Sequence, residues 1–380
     1  MKRIPTLAFV LLLAASAAAE SVSYSTLVPK TAKSMALGGI FTAVPTTEFS
    51  FFGNPAAFAS EKAGLIVPGL DAWAYIRPTG GNLGDLATAK GGDMLAKVFG
   101  LMSQNGGSGG GASAGIGYAG RGLGLGLFLT SDDYIEGTSP AGAVIHSDTQ
   151  AMAVMGMGVP ITLGDLKLSV GGDLRPFYRV RLADAAGQAP ALADLLAQGS
   201  SGLYSDAFFG AAMDLGASLK LGELSFGLSI RDIAPAFPIA TGTFAELQSS
   251  LASGSLPDTS SAVDQAVLSP ALSAGLAWTP KLLPGRIDPA VYFEIQDPVK
   301  VVRQWNGVGS ALNLLHAGAE LTFFKMLSLR GGLNRGWLSA GAGLKLFFLD
   351  LDAAIFTEEL GSLPGDHPRS GISLQAALRF

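Results

Sequence analysis

The 380 residues are 48% hydrophobic and 14% charged, with a mean hydropathy of +0.39, whereas soluble domains carry about 25% charged residues. A net charge of −5 gives no basic surface for nucleic acid. The lack of cysteine excludes disulfides, thiolate metal sites and a cysteine nucleophile. Beyond residue 20 there is no apolar, charge-free run of about 18 residues that would predict a spanning helix. Such an apolar chain can otherwise cross a bilayer only as a closed β-barrel.

The first residues have the pattern of a secretory signal peptide. Lys2 and Arg3 are followed by a short apolar core and by three alanines, Ala17, Ala18 and Ala19, before Glu20. This order of a basic start, an apolar core and small residues is typical of a cleaved export signal. We therefore expect residues 1–19 to be removed and the mature protein to be exported.

Residues 20–62 lack a strand period but are too apolar to stay in water. Within them, Asn54, Pro55 and Ala56 predict a rigid corner, because proline fixes φ and an asparagine side chain bonds backbone two residues on. The apolar Phe51, Phe52 and Phe58 flank this corner. We expect the segment to fill the lumen of the barrel as a hatch, against the alternative of an ordinary surface turn.

From residue 63 to residue 380 the chain alternates apolar and polar residues with a period of two, which is the pattern of membrane barrel strands. Long connections alternate with short turns, so an antiparallel barrel is predicted with its tight turns at one end, apart from one short connection at 334–335 among the long ones. Parts of the long connections, at 83–101, 189–197 and 244–251, have helical spacing. About fourteen candidate strands are 63–78, 109–120, 122–131, 148–160, 165–181, 204–219, 223–233, 264–279, 287–297, 310–324, 326–333, 336–347, 349–357 and 370–380.

The N-terminal segment resembles the FadL family of outer-membrane transporters for long-chain fatty acids and other hydrophobic compounds. The family pattern A-x-x-L-G-G-x-x-x-A-V followed by N-P-A is carried by residues 35–44, which include Gly38 and Gly39, and by residues 53–56. The resemblance implies a fourteen-stranded barrel with an N-terminal hatch. Residues 316–320 and 329–334 also resemble the related PorV-type branch, some members of which serve protein secretion.

Four arginines are candidates to bind a ligand's carboxylate or phosphate head group. Arg175, Arg179 and Arg181 share the inward face of one predicted strand, and Arg77 at the end of the first strand is a weaker candidate. Guanidinium groups bind such anions through paired hydrogen bonds. The alternative is a structural network with Asp173 and Asp206.

Pro176 lies within the same strand, on the face directed to lipid. Since proline cannot donate a ladder hydrogen bond, it is expected to kink the strand or open the wall. The resemblance to FadL implies sideways release of ligand through such a gap. A bulge near the rim explains the residue equally well.

Catalysis and metal binding have no support in the sequence. His146, His316 and His367 have no metal-like partners at short spacing. The G-x-G-x-x-G run at 115–120 continues into strand spacing, where a dinucleotide site needs a helix. We expect no enzyme, no metal and no cofactor.

The favoured function is passive uptake of hydrophobic small molecules such as fatty acids across the bacterial outer membrane. The ligand class follows from the resemblance, whereas composition and periodicity predict only the barrel. The expected partners are the hydrophobic molecule and the outer-membrane lipid, with a protein partner left open. The alternatives are a PorV-like secretion protein or structural scaffold and a general porin.

Overall fold

A computed structural model of the chain describes residues 21–42, 50–76, 107–137, 142–164, 166–184, 188–199, 202–253, 265–303, 309–361 and 363–380, together with 255 and 305. The signal-peptide prediction and the helix predicted at 83–101 lie outside these residues. The described strands are β1 (Ser21–Tyr24), β2 (Gly64–Tyr75), β3 (Gly107–Gly120), β4 (Leu123–Glu136), β5 (Val144–Leu163), β6 (Leu166–Leu182), β7 (Tyr204–Leu221), β8 (Leu224–Ile233), β9 (Phe237–Pro238), β10 (Ala240–Thr243), β11 (Gln265–Leu268), β12 (Ala271–Trp278), β13 (Ile287–Gln296), β14 (Leu315–Phe323), β15 (Leu327–Asn334), β16 (Trp337–Leu346), β17 (Leu349–Glu359) and β18 (Pro368–Arg379).

Fourteen of these strands form a closed antiparallel barrel, which confirms the predicted fold class. Neighbours in the wall are neighbours in sequence from β2 to β8 and from β12 to β18. The wall is completed by the pairing of β8 with β12 and of β18 with β2. All backbone polar groups of a closed barrel wall can be paired within the wall, as a bilayer requires.

The two faces of the wall differ as the alternation predicts. In β4, Leu123, Leu125, Leu127 and Leu129 point outward and are 41–57% exposed. The intervening Gly124 and Thr130 are buried in the interior. The outer face therefore presents a surface suited to lipid, and the inner face presents small and polar groups.

The two ends of the barrel also differ. The turns after β3, β5, β7, β12, β14 and β16 are short, and Gly64 and Arg379 lie at the same end, which we call the short-turn end. The longer connections lie at the opposite end, which we call the long-loop end. That end also has one tight turn, at Arg335 and Gly336.

The connection between β8 and β12 enters the barrel and corrects one predicted strand. Residues 264–279 were expected to form a single wall strand, but β11 and β12 are separate, and Pro270 between them has no N–H to continue a ladder. Strand β11 pairs with β1 and β9 in a three-stranded inner sheet. Strand β10 pairs with the first four residues of β7, at the long-loop end.

Short helices occupy several connections: α1 (Ala32–Ala36), a 3-10 helix (Pro55–Ala59), α2 (Leu192–Gln198), α3 (Phe244–Ala252), α4 (Pro298–Arg303) and α5 (Gly309–Leu312). Helices α2 and α3 match predicted helical segments, whereas α5 replaces the expected start of a strand at 310. At the start of α3, Thr243 and Glu246 bond reciprocally, and the bond from the Thr243 N–H to the Glu246 carboxylate lowers the pKa of that carboxyl. No helix among the described residues is long and apolar enough to cross a membrane.

Candidate functional site

The N-terminal segment contacts the inward face of the wall at residues 31–42. Helix α1 is capped by Thr31, whose hydroxyl accepts a bond from the Ser34 N–H at 3.2 Å. The chain then passes through Gly38 and Gly39, with φ of +79° and +78°, a region that favours glycine. A Cβ at Gly38 would overlap the backbone oxygens of Leu333 and Ala317. Both glycines are therefore needed to lay this segment flat against β14 and β15.

Polar side chains of the wall hold the same stretch. The Gly38 carbonyl lies 2.6 Å from His316 Nδ1, and the Gly39 carbonyl accepts a bond from Gln296 at 2.8 Å. Glu294 accepts a bond from the Thr42 N–H at 2.8 Å. His316 thus acts as a structural contact to the segment.

The corner at Asn54, Pro55 and Ala56 docks on the opposite wall. Asn54 Oδ1 accepts a bond from the Ala56 N–H at 3.0 Å, and Nδ2 donates to the Ala217 carbonyl at 3.1 Å. A Cβ at Gly171 or Gly216 would overlap this corner. The bare backbone of β6 and β7 therefore provides the seat for the corner.

Phe51, Phe52 and Phe58 are packed together with the wall. They are 1%, 3% and 0% exposed. The rings of Phe51 and Phe52 lie 5.1 and 4.8 Å from the ring of Phe128. Beside them lies a cavity of only about 30 Å³, the volume of roughly one water molecule.

Arg175 is the centre of a buried ionic network. Its Nη2 lies 2.6 Å from both Asp214 and Asp232, and its Nε lies 3.7 Å from Asp173. Its Nη1 donates to the Thr26 hydroxyl at 3.3 Å. The guanidinium is 1% exposed, so in this state it is enclosed by carboxylates of the protein, as the network alternative predicts.

The other arginine candidates differ in their surroundings. Arg179 pairs with Asp148 and donates to the Ser25 carbonyl at 2.5 Å. Arg181 pairs with Asp206 at 3.0 Å. Both guanidinium groups lie near the Tyr24 ring, at 5.3 and 5.1 Å. Arg77 lies outside the described residues.

Several residues of this interior were not singled out from the sequence. Asp214 and Asp232 complete the Arg175 network, and Asp232 also accepts a bond from Thr26 at 2.5 Å. Lys30 pairs with Glu358 at 2.7 Å and so ties the N-terminal segment to β17. Asp214 belongs to the inward-facing set in the two-residue alternation of β7, and this position could have indicated that it lies inside the barrel. Nothing in the sequence indicates the partner of Lys30.

The ladder between β5 and β6 is interrupted at Pro176, whereas Pro176 stays paired with Ala211 of β7. The β5–β6 ladder passes from the Met152–Phe177 pair to the Met155–Leu174 pair without a register shift, and the two positions between are unpaired. An outer groove of about 730 Å³ lies over this place. Besides outward residues such as Pro176 it reaches the inward-facing Phe128, Met152 and Phe177.

A second outer groove, of about 520 Å³, provides a comparison. It lies over β15 to β18 and β2 and is lined mainly by leucine and alanine. The ladders of β15 with β16 and of β17 with β18 beneath it are continuous. An unpaired stretch of wall therefore distinguishes the groove at Pro176.

Among the described residues, no group of three histidine, aspartate or glutamate side chains is arranged to hold a metal ion. The polar interior is instead made of arginine–carboxylate pairs and of bonds to the N-terminal segment. These arrangements can hold the segment in place.

Comparisons with known proteins give fold likenesses only. No family model and no curated protein matches the chain. Among solved structures, the Pseudomonas putida toluene transporter TodX is 12% identical, with 94% of this chain and 99% of that chain covered and a TM-score of 0.45. The Ralstonia pickettii toluene transporter TbuX is 14% identical (93% and 98% covered, TM-score 0.48), and a Pseudomonas aeruginosa FadL homologue is 12% identical (93% and 98%, TM-score 0.44). At these identities and scores the neighbours' ligands do not transfer to this chain.

Proposed function

We propose that the protein is an outer-membrane transporter for passive passage of hydrophobic small molecules, such as fatty acids, into a bacterial cell. The observation that carries this proposal is the groove at Pro176. There, unpaired wall backbone lies beneath an apolar surface that joins lipid-facing and inward-facing side chains. An apolar molecule has a lower free energy on such a surface than in water.

Phe128 is the barrier between the interior and the groove. It lines the small interior cavity beside Phe51 and Phe52, and it also lines the groove at Pro176. A movement of this ring together with the corner at 51–58 would join the two spaces. The described state is then a closed state, and residues 20–62 act as a hatch.

To open, the hatch must break the hydrogen bonds that hold it to the wall. Arg231 donates to the Phe52 carbonyl at 2.6 Å, and the Thr42 and Ser229 hydroxyls lie 3.3 Å apart. A ligand carboxylate could replace an aspartate at Arg175 or Arg179 only after these ties loosen. We therefore assign the head-group role to the open state, and Arg77 remains a candidate for it.

A disulfide lock tests the proposal. The chain has no cysteine, so Thr42→Cys with Ser229→Cys joins the hatch to β8 alone. The matched control, Ser131→Cys with Thr149→Cys, joins two wall strands whose hydroxyls lie 2.9 Å apart. Uptake of a fluorescent fatty acid into proteoliposomes is measured with and without reductant.

We expect the hatch lock to abolish uptake when oxidised and reduction to restore it, while the control pair transports in both states. Phe128→Ala, which removes the ring between the two spaces, is expected to raise uptake. Equal transport by the oxidised hatch lock and by the control would refute a moving hatch.

The second candidate function is a secretion or structural scaffold of the PorV type. It is favoured by the packed interior, where the cavity beside the hatch aromatics in the described residues is about 30 Å³. Affinity purification from the native host under mild detergent tests it. A stoichiometric protein partner, together with absence of uptake by the wild-type protein, would favour the scaffold over the transporter.

A further inference from the structure

One half of the short-turn end forms a continuous strip, which we call the half-rim: residues 281–286, 324–326, 345–348 and 380. Backbone bonds join its parts in order. The Phe324 N–H donates to the Arg286 carbonyl at 3.0 Å, and the Lys345 N–H donates to the Met326 carbonyl at 2.8 Å. The Arg379 N–H donates to the Phe348 carbonyl at 2.7 Å. The rings of Phe348 and Phe380 then stack at 6.0 Å.

The half-rim exposes large apolar side chains at the tips of its turns. Phe347 is 96% exposed, and Leu282, Phe324 and Phe380 are 68–69% exposed. Phe324 and Phe347 both have a φ of +51°, where bulky side chains are disfavoured and glycine or asparagine is usual. Exposed aromatic side chains therefore occupy turn positions whose backbone conformation favours glycine or asparagine.

Four cations accompany the apolar tips. Lys281, Arg286, Lys325 and Lys345 are all exposed. Within the described part of the chain none of their side chains forms an ion pair, although the Glu223 carboxylate accepts a bond from the Lys281 N–H at 3.1 Å. Of the other neighbouring acids, Asp288 accepts a bond from the Gly285 N–H and Asp350 pairs with Arg379. The half-rim thus combines exposed aromatic rings with exposed basic side chains.

The other half of the same end has a different character. Its described turns carry Arg121 and Gly122, Gly164, and Gly222 and Glu223. Lys167 there is paired with Glu61 at 3.1 Å. Small residues replace the aromatic side chains in these turns, whereas this half keeps exposed basic side chains at Lys62, Arg121 and Lys220.

We propose that the half-rim binds anionic phospholipid in the leaflet at the short-turn end, with its lysines and arginine on the phosphates and its phenylalanines at the acyl boundary. Aromatic side chains favour the membrane interface, and basic side chains near it attract anionic lipid. The combination of four exposed cations with exposed aromatic rings selects this occupant, because the cations would repel those of a second copy of the same strip. The proposal is independent of transport and of the hatch.

Native mass spectrometry of the purified full-length protein tests the proposal. The protein is equilibrated with equal amounts of phosphatidylglycerol and phosphatidylcholine, and retained lipid is counted. The variant carries Lys281→Gln, Arg286→Gln, Lys325→Gln and Lys345→Gln. The matched control carries Lys62→Gln, Arg121→Gln, Lys167→Gln and Lys220→Gln on the other half. Heat-modifiable gel mobility checks that each barrel is folded.

We expect the wild type and the control to prefer phosphatidylglycerol, and the half-rim variant to lose that preference by about tenfold or more. Phe347→Asn with Phe324→Asn, which suits the turn backbone, is expected to reduce retention of both lipids while the barrel stays folded. Equal loss in the variant and the control, or no preference in the wild type, would overturn the proposal. So would a dimer that only the half-rim substitutions dissociate.

Discussion

At the scale of single residues, the interior is governed by how its charges are compensated. Arg175 faces three carboxylates, yet neither oxygen of Asp173 accepts a hydrogen bond. Removing a buried cation leaves uncompensated charge, which is costly, whereas removing one of several like charges is not. Substitutions of Arg175 and of Asp173 should therefore change the free energy of unfolding by different amounts or in opposite directions, although both residues lie in one network.

We expect Arg175→Met to lower the free energy of unfolding by about 3–5 kcal/mol. Asp173→Asn is expected to change it by no more than about 1 kcal/mol, because this carboxylate has no hydrogen bond to lose. Urea unfolding in lipid vesicles, followed by tryptophan fluorescence, measures both. A larger loss for Asp173→Asn than for Arg175→Met would contradict the role assigned to Arg175.

At the scale of elements, the N-terminal segment that we propose as a hatch is fitted to the wall by glycines on both sides. Gly38 and Gly39 bring the end of α1 onto β14 and β15, and Gly171 and Gly216 bare the wall beneath the Asn54 corner. Glycine in these places removes the side chain that would keep two backbones apart.

Gly38→Ala tests this fit. Its matched control is Gly222→Ala, at a positive φ of 61° but with open space around the added Cβ. The control should cost about 1–2 kcal/mol from backbone strain alone. Gly38→Ala should cost clearly more, because the Leu333 carbonyl must also move. Equal losses in thermal unfolding would show that the hatch adapts freely.

The sequence predicted all fourteen wall strands and the alternation of short and long connections, because a two-residue period and turn residues are local signals. It did not predict β1, β9, β10 or the separation of β11 from β12. The inner sheet depends on tertiary contacts, such as the pairing of β1 with β11 more than 200 positions away, that leave no local pattern. Of the ionic partners of Arg175, Asp173 was named from the sequence, but Asp214 and Asp232 were missed. Alternation places Asp214 and Asp232 inside the barrel but does not specify which cation they meet.

At the scale of the whole molecule, the described residues of the N-terminal segment, 21–42 and 50–62, precede the first wall strand and lie against the inward face of the wall. We expect deletion of residues 21–62, with residues 1–20 retained, to give steady ion conductance in planar bilayers where the full chain gives little. Adding the 21–62 peptide should lower the conductance again. A folded deletion variant that stays closed would show that other parts of the chain block the lumen.

The closure of the wall has a consequence for biosynthesis. Strand β2 has its last partner in β18, and the Ser373 hydroxyl of β18 also donates to the Lys30 carbonyl. The first wall strand thus waits for the last, and until β18 is made the sheet keeps two open edges that invite pairing with other chains. Such contacts between distant residues form slowly. The barrel cannot close progressively as it is synthesised, so the chain depends on being kept apart from its own copies until β18 has paired with β2.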